Sequence, residues 1–412
     1  MTKERNGMKK LLALALISLC GLVCVTTLAD ETAVQHAALP FLSITTDSGE
    51  LPGDEMAYGS MTLTQDGREQ TVRIGVRLRG NTSRRFPKKS YRLIILDEDG
   101  EKMNLSIGGL RSDDDWILNP MYTDTSKIRE ALAYEVWDAM NSSGVKAQSS
   151  RLVHAEISLN GEYWGLYGVQ ERIDRKQVDA DKRSGVLYKV SRLEIPAVQD
   201  VLSCEGDTCA GFELDFAGAG VKNPWEPAAG YMGIYHGEAA NLPVQMDEAN
   251  LIDYGLWMMF TQAHDCHFKN QFLHGVYADH GYTMYKIPWD VNHTFGDVWE
   301  NDAEDSNFNE YRIVDFMMDG IFETRFQQGD EAFDQAVRNR WHQLREGILT
   351  EENLIRRAHA LYDPLTDALE RDNARWPESG LGNGNALNIN DIEEYIRLTL
   401  DDLDSLLLHP SH

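Results

Sequence analysis

The chain has 412 residues, and its 66 acidic side chains against 39 basic ones give a formal charge of −27. Such a surface repels nucleic-acid phosphates and anionic membranes, which argues against nucleic acid as a partner. With 42% hydrophobic and 25% charged residues, the composition is that of a globular protein whose length suits one large domain or two lobes.

The first predicted element lies in MTKERNGMKKLLALALISLCGLVCVTTLADETA. Lys3, Arg5, Lys9 and Lys10 precede an apolar run from Leu11 to Val25, and Thr27-Leu28-Ala29 puts small residues at −3 and −1. That layout predicts a signal peptide over residues 1–29, cut after Ala29, and a secreted or periplasmic protein. The run falls short of the ~20 residues a membrane span needs, and no later stretch reaches that length, so a mature chain of 30–412 is expected to carry no transmembrane span. Neither Cys20 nor Cys24 follows a small residue, which argues against lipidation. Loss of the segment's net +3 takes the charge from −27 to −30. In an oxidising compartment Cys204 and Cys209 of CEGDTC are expected to close a disulfide loop and leave Cys266 unpaired. Without a second pair of thiols, these two make a weak case for zinc.

Residues 30–100 read as β structure. TVRIGVRLR (71–79) alternates apolar and polar side chains as a half-buried strand should, and KKSYRLIIL (88–96) reads as a second strand. GNTSRRFP (80–87) between them is a cation-rich turn punctuated by Gly and Pro. A helix is predicted over 124–140, capped by Asp124, with Ile128, Ala131, Leu132, Val136 and Met140 on one face and Gly144 beyond its end. A hairpin follows, 152–159 and 163–169, turning on Asn160-Gly161. The first half thus reads as a sheet with one helix inserted. Residues 200–247 lack periodicity and read as a long irregular insertion. Apolar residues on nearly every side of 251–264 predict a buried helix, and a second hairpin is expected over 271–287. The remainder reads as acidic and helical, with Asn390 and Glu393 as a cap before the last helix.

Two stretches carry the chemistry. HDCHFKNQFLH (264–274) sets Asp265 and Asn270 five positions apart at the end of the buried helix, and IPWDVNHTFGD (287–297) places Asp290 after a strand with Gly296 behind it. A phosphotransferase needs such a set: one Asp to accept the acceptor's proton, and an Asn and a second Asp to hold Mg²⁺ through oxygen. The D-x₄-N spacing recurs by chance, and each Asp alone reads equally well as a turn or bulge residue. His264, His267, His274 and His293 invite a zinc or copper reading, but Lys269 sits among them and no pair has the H-E-x-x-H spacing. Trp164, Tyr167 and Trp289 read as core residues, and EDSNFNEYRIVD (304–315) as a solvated acidic loop.

Five segments in order, RLRGNTSRRFPKKSYRL (77–93), DDWILNPMYTDTSKIREALAYEV (114–136), NGEYWGLYGVQERID (160–174), HDCHFKNQFLH and KIPWDVNHTFG (286–296), together resemble the spore coat protein H (CotH) family of secreted atypical kinases. The resemblance runs from about Phe41 to the C-terminal helix. It implies an α+β, two-lobed kinase-like fold, with an N-lobe over about 40–175, the insertion over 200–247 and a mainly helical C-lobe over 250–410. It also implies ATP- and Mg²⁺-dependent transfer to Ser/Thr hydroxyls of an acceptor protein. By the same likeness Asp265 is the catalytic Asp, and Asn270 and Asp290 are the metal residues. Lys89, with Lys88 as the alternative, is the expected lysine on the ATP phosphates, and Glu171 lies near the adenine. One departure stands out: the family's second acid after Asp290 is here Asn292, followed by His293, which weakens charge neutralisation at the metal. Two other readings remain: a kinase-fold binding or assembly module without turnover, and a carbohydrate- or surface-associated envelope protein.

Overall fold

A computed structural model describes residues 38–192, 194–238, 243–297, 318–327, 329–379 and 388–409. Residues 1–29, read as a signal peptide, and residues 304–315, read as an acidic loop, lie outside the described residues.

Alternating burial organises the first half. Strands β1 (Phe41–Thr46), β2 (Ala57–Gln65), β3 (Arg68–Leu78), β4 (Tyr91–Leu96), β5 (Asp115–Asn119), β6 (Leu152–Leu159) and β7 (Glu162–Glu171) close into a barrel in the order β1-β2-β3-β4-β5-β7-β6. Every neighbour pair is antiparallel except the closing one, in which β1 runs parallel to β6 from Phe41 opposite Glu156 to Ile44 opposite Leu159. Leu42, Ile44, Met61, Ile74, Leu93, Trp116, Ile157 and Val169 fill the interior. The sequence reads as a sheet, and the structure closes that sheet into a barrel. The closure depends on a pairing more than 100 residues apart, which local alternation does not reveal. The Asn160-Gly161 turn is as predicted, with φ of 52° and 84°.

The inserted helix, α1 (Arg129–Met140), starts later than expected. Asp124 still serves its start, accepting the Arg129 N–H at 3.0 Å and the Ser126 N–H at 2.9 Å. Nine of its residues are buried, Arg129 and Glu130 among them, so it is a core helix rather than an amphipathic one.

A second sheet joins β8 (Val186–Val190), β9 (Thr208–Cys209), β10 (Phe212–Ala217), β11 (Val244–Met246), β12 (Gln271–Ala278) and β13 (Gly281–Pro288) in the order β11-β13-β12-β8-β10-β9. The segment read as an irregular insertion therefore supplies three strands, together with α2 (Val198–Leu202) and α3 (Glu226–His236). Strands of two to six residues are too short to show periodicity. Cys204 and Cys209 form the expected disulfide, and Cys266 is free and buried.

The buried helix is α4 (Glu248–Thr261), capped by Asp247, whose side chain accepts the Asn250 N–H. After it come α5 (Gly320–Gln327), α6 (Glu331–Arg345), α7 (Glu351–Tyr362), α8 (Thr366–Arg375) and α9 (Ile389–Leu407). The cap of α9 is a reciprocal box of Asn388 and Asp391, two residues before the pair expected. Among the described residues no helix is long and apolar enough to cross a membrane.

Candidate functional site

A cavity of about 540 Å³ opens between the barrel's β3–β4 loop, the end of β5, the start of α1 and the loops flanking β12 and β13. Asp265, Asn270 and Asp290 all line it. Helix α4 ends at Gln262, which takes a left-handed conformation (φ 52°), and the chain turns through a short 3₁₀ segment that carries Asp265. The Asp265 carboxylate lies 3.1 Å from Lys269 Nζ, one turn on.

Asn270 and Asp290 stand at the two feet of the β12–β13 hairpin. Asn270 donates its N–H to the Val190 carbonyl at 2.9 Å and accepts the Trp289 N–H at 3.0 Å. Both residues are left-handed, with φ of 55° and 56°, a conformation that Asn and Asp tolerate better than other side chains. Local strain at two adjacent cavity positions is the kind of feature that surrounding structure must hold in place.

At Asp290 a hydrogen-bonded set of Glu130, Asn119, Gln170 and Tyr134 does so. Glu130, on the first turn of α1, accepts from Asn119 Nδ2 at 2.6 Å, Gln170 Nε2 at 3.0 Å and Tyr134 Oη at 3.0 Å. Tyr134 Oη in turn accepts the Asp290 N–H at 3.1 Å. Burial, reinforced by the charge of Asp290, raises Glu130 to about 7 against those hydrogen bonds. Burial likewise drives the Tyr134 phenol far above its ordinary range. Arg79 lines the same wall; burial lowers its guanidinium, opposed by Asp290 and then Glu130.

Lys89 and Glu171 are not among the lining residues. Lys89 Nζ donates to the Arg84 carbonyl at 2.5 Å. Glu171 is 2% exposed, and its carboxylate accepts the Arg111 N–H at 2.9 Å. Strand alternation explains the second case: Gln170 faces the cavity, so its neighbour on β7 faces away. Lys88 has no exposure at all. Its Nζ donates to Asp372 Oδ1 at 2.7 Å and to the Leu166 carbonyl at 2.6 Å, which ties α8 to β7. The cations that do line the cavity are Arg79, Lys189, Arg192 and Lys269.

The loop over the cavity begins at Gly80, with φ 87°, where an added Cβ would meet Ser83 Oγ at 2.1 Å. The positive φ favours glycine there, and any Cβ would require Ser83 to turn away. The histidines have separate partners. His267 Nδ1 bonds the Met318 carbonyl at 2.7 Å, His274 Nδ1 bonds the Lys146 carbonyl at 2.8 Å, and His293 lies 3.2 Å from Asp297.

Sequence reasoning missed Glu130, Gln170, Asn119 and Arg79. The available signal was a polar side chain on an otherwise apolar element, as with Gln170 in the buried run of β7 and Glu130 on the buried side of α1.

The fold is mixed α+β, and the cavity brings carboxylates, amides and cations together around a glycine-turned loop. The sequence model of the CotH kinase protein family matches residues 76–401, so the chain belongs to the CotH kinase family and is a kinase-like protein. No curated protein matches it.

Proposed function

We propose that this is an exported atypical protein kinase, which transfers the ATP γ-phosphoryl group to a Ser/Thr hydroxyl of an acceptor protein in an Mg²⁺-dependent reaction. The observation that carries the reading is the meeting of Asp265, Asn270 and Asp290, from two separate segments, on one cavity of about 540 Å³. In this reading the barrel is the N-lobe, the second sheet and helices form the C-lobe, and the cavity is the nucleotide cleft.

The donor set fits Mg²⁺. Asp290 supplies a carboxylate oxygen, and Asn270 and the lining residue Asn292 supply amide oxygens. A small hard cation that keeps water and borrows phosphate oxygens needs no more than these. Once bound, the ion would neutralise charge on the β- and γ-phosphates. The chain's own work is positional. Asp265 accepts the acceptor's hydroxyl proton as its oxygen attacks the γ-phosphorus and ADP departs, while Lys269 holds the carboxylate in place. Arg79, rather than Lys89 or Lys88, is the cation best placed for phosphate, and Gly80 lets the loop backbone approach it. In this reading the nucleobase lies against the cavity wall beside Gln170, while Glu171 accepts from the Arg111 N–H outside the lining. Export is supported by the signal-like N-terminus and by a disulfide of the kind oxidising compartments permit.

Asn292, where the family usually has an acid, favours a second reading: a kinase-fold binding module with little or no turnover. Incubation of the mature protein with γ-labelled ATP, with and without Mg²⁺, separates the two. Asp265→Asn should retain nucleotide affinity and lose transfer by roughly 10²-fold or more. Asp290→Asn should lose the Mg²⁺-dependent part of ATP affinity as well, and Asn292→Asp should tighten Mg²⁺ binding or raise the rate. No transfer by the wild type, with all three variants matching it in calorimetry, would leave the binding module.

A further inference from the structure

Tyr134 does not line the cavity, yet it is the only described side chain bonded to the backbone of Asp290. Its hydroxyl is fully used. It donates its single proton to Glu130 Oε1 at 3.0 Å, and it accepts from the Asp290 N–H at 3.1 Å and from Gln170 Nε2 at 3.3 Å. A phenol has one proton and two lone pairs, so giving the proton to Glu130 leaves both lone pairs facing donors. Glu130 is fixed in turn. Its Oε1 also accepts from Gln170 Nε2, and its Oε2 accepts from Asn119 Nδ2, which bonds Gln170 Oε1 at 3.2 Å. Asn119 ends β5 and Gln170 lies on β7, whereas Tyr134 and Glu130 are one turn apart on α1.

From this geometry we infer that Asn119, Gln170, Glu130 and Tyr134 form a buried relay through which the barrel sets the backbone of Asp290, with Tyr134 as its positioning residue. The inference deepens the kinase reading and rests on Asp290 holding the cation. Among the described residues the N–H of this left-handed Asp has no ladder partner, and the acceptor it meets comes from a different part of the fold. The barrel end and the Asp290 loop are thereby linked by hydrogen bonds that converge on Glu130: Asp290 donates to Tyr134, and Tyr134, Gln170 and Asn119 donate to Glu130. Charge at Asp290 is delivered to the cavity at the angle the Tyr134 hydroxyl dictates.

Tyr134→Phe tests this, because it removes the acceptor and keeps the buried ring. Tyr282→Phe is the control: Tyr282 sits at the far end of β13, and its hydroxyl donates to the Ser184 carbonyl at 2.9 Å, a comparable bond. Two readouts are needed. The first is amide hydrogen exchange over residues 287–297 of the ligand-free protein. The second is calorimetric affinity for ADP, with Mg²⁺ and with a chelator. Tyr134→Phe should speed exchange at Asp290 and weaken Mg²⁺-ADP by roughly three- to tenfold, as loss of one ordinary hydrogen bond implies, and leave chelated ADP unchanged. Tyr282→Phe should do neither. Unchanged exchange in Tyr134→Phe would overturn the relay. Faster exchange with unchanged Mg²⁺-ADP affinity would overturn its positioning role, leaving only a structural bond. A wild type that binds no Mg²⁺-nucleotide would defeat the kinase reading instead, and the exchange result would still decide whether Tyr134 holds the loop.

Discussion

Glu130 is a carboxyl enclosed by three hydrogen-bond donors, and burial still outweighs them, raising it to about 7. The folded state therefore keeps a proton that the unfolded chain releases near 4.5. Its contribution to stability is complete below the unfolded value and is lost as pH rises through the folded one. Glu130→Gln has no such titration. The stability of the wild type relative to this variant should fall by on the order of 3 kcal/mol between pH 4 and pH 8, measured by urea unfolding at each pH. A pH-independent difference would show that the three donors, not burial, govern the group. The same residue shows where sequence reading stops. That Asp265, Asn270 and Asp290 line one cavity was legible in outline, because the order of the buried helix and the hairpin brings their segments together. Glu130 and Arg79 were not, because what turns an ordinary helix Glu or strand-end Arg toward a cavity is the packing of distant elements. The surroundings of the two lysines are hidden for a related reason: KKSY shows two adjacent lysines but not that Lys88 is sealed against Asp372 and Lys89 bonded to the Arg84 carbonyl.

Among the elements, α8 and α9 depend on ion pairs of contrasting kinds. Asp372 on α8 meets Lys88 at 2.7 Å with neither side chain exposed, and its Oδ1 also accepts the Leu166 N–H at 2.9 Å. Lys127 lies 3.8 Å from its other oxygen. Burial pulls both lysines down, against the attraction of Asp372. Asp372→Ala would strand two buried cations and should cost about 3–5 kcal/mol, read as a fall in the denaturant midpoint. The ion pair between α7 and α9 is by contrast at the surface. His359 bonds Glu393 at 2.8 Å and Asp363 at 2.9 Å, and those two carboxylates, Glu393 first, raise it above its usual value. That stabilisation is present below about pH 6.5 and lost as pH rises through the raised value. With the ring 39% exposed, solvent screening holds it below ~1 kcal/mol, so His359→Gln should flatten the thermal-stability profile only slightly. Strand and helix positions were largely legible because each long element carries its own period. The displaced cap of α9 was not, since Asn388, Asn390 and Asp391 near its start compete for the role.

For the molecule as a whole, the barrel has a consequence for the order in which the protein takes shape. The two sides of β1 become satisfied at very different times. Its pairing with β2 needs only a local turn, but its parallel pairing with β6 joins Phe41 to Glu156 and Ile44 to Leu159. A chain made from its N-terminus holds one edge of β1 open until β6 has emerged, and an open strand edge is a template for wrong partners. Closing so long a loop costs entropy before any contact repays it, so the seam should form late. Leu42, with no exposure and on the seam, reports on this. In stopped-flow chevrons Leu42→Ala should speed unfolding and barely slow refolding, whereas Ile74→Ala, between β2 and β4, should slow refolding. If that order holds, the interval before the seam closes is when the nascent protein is most exposed to self-association, and the sequence meets it with a β1 edge only six residues long.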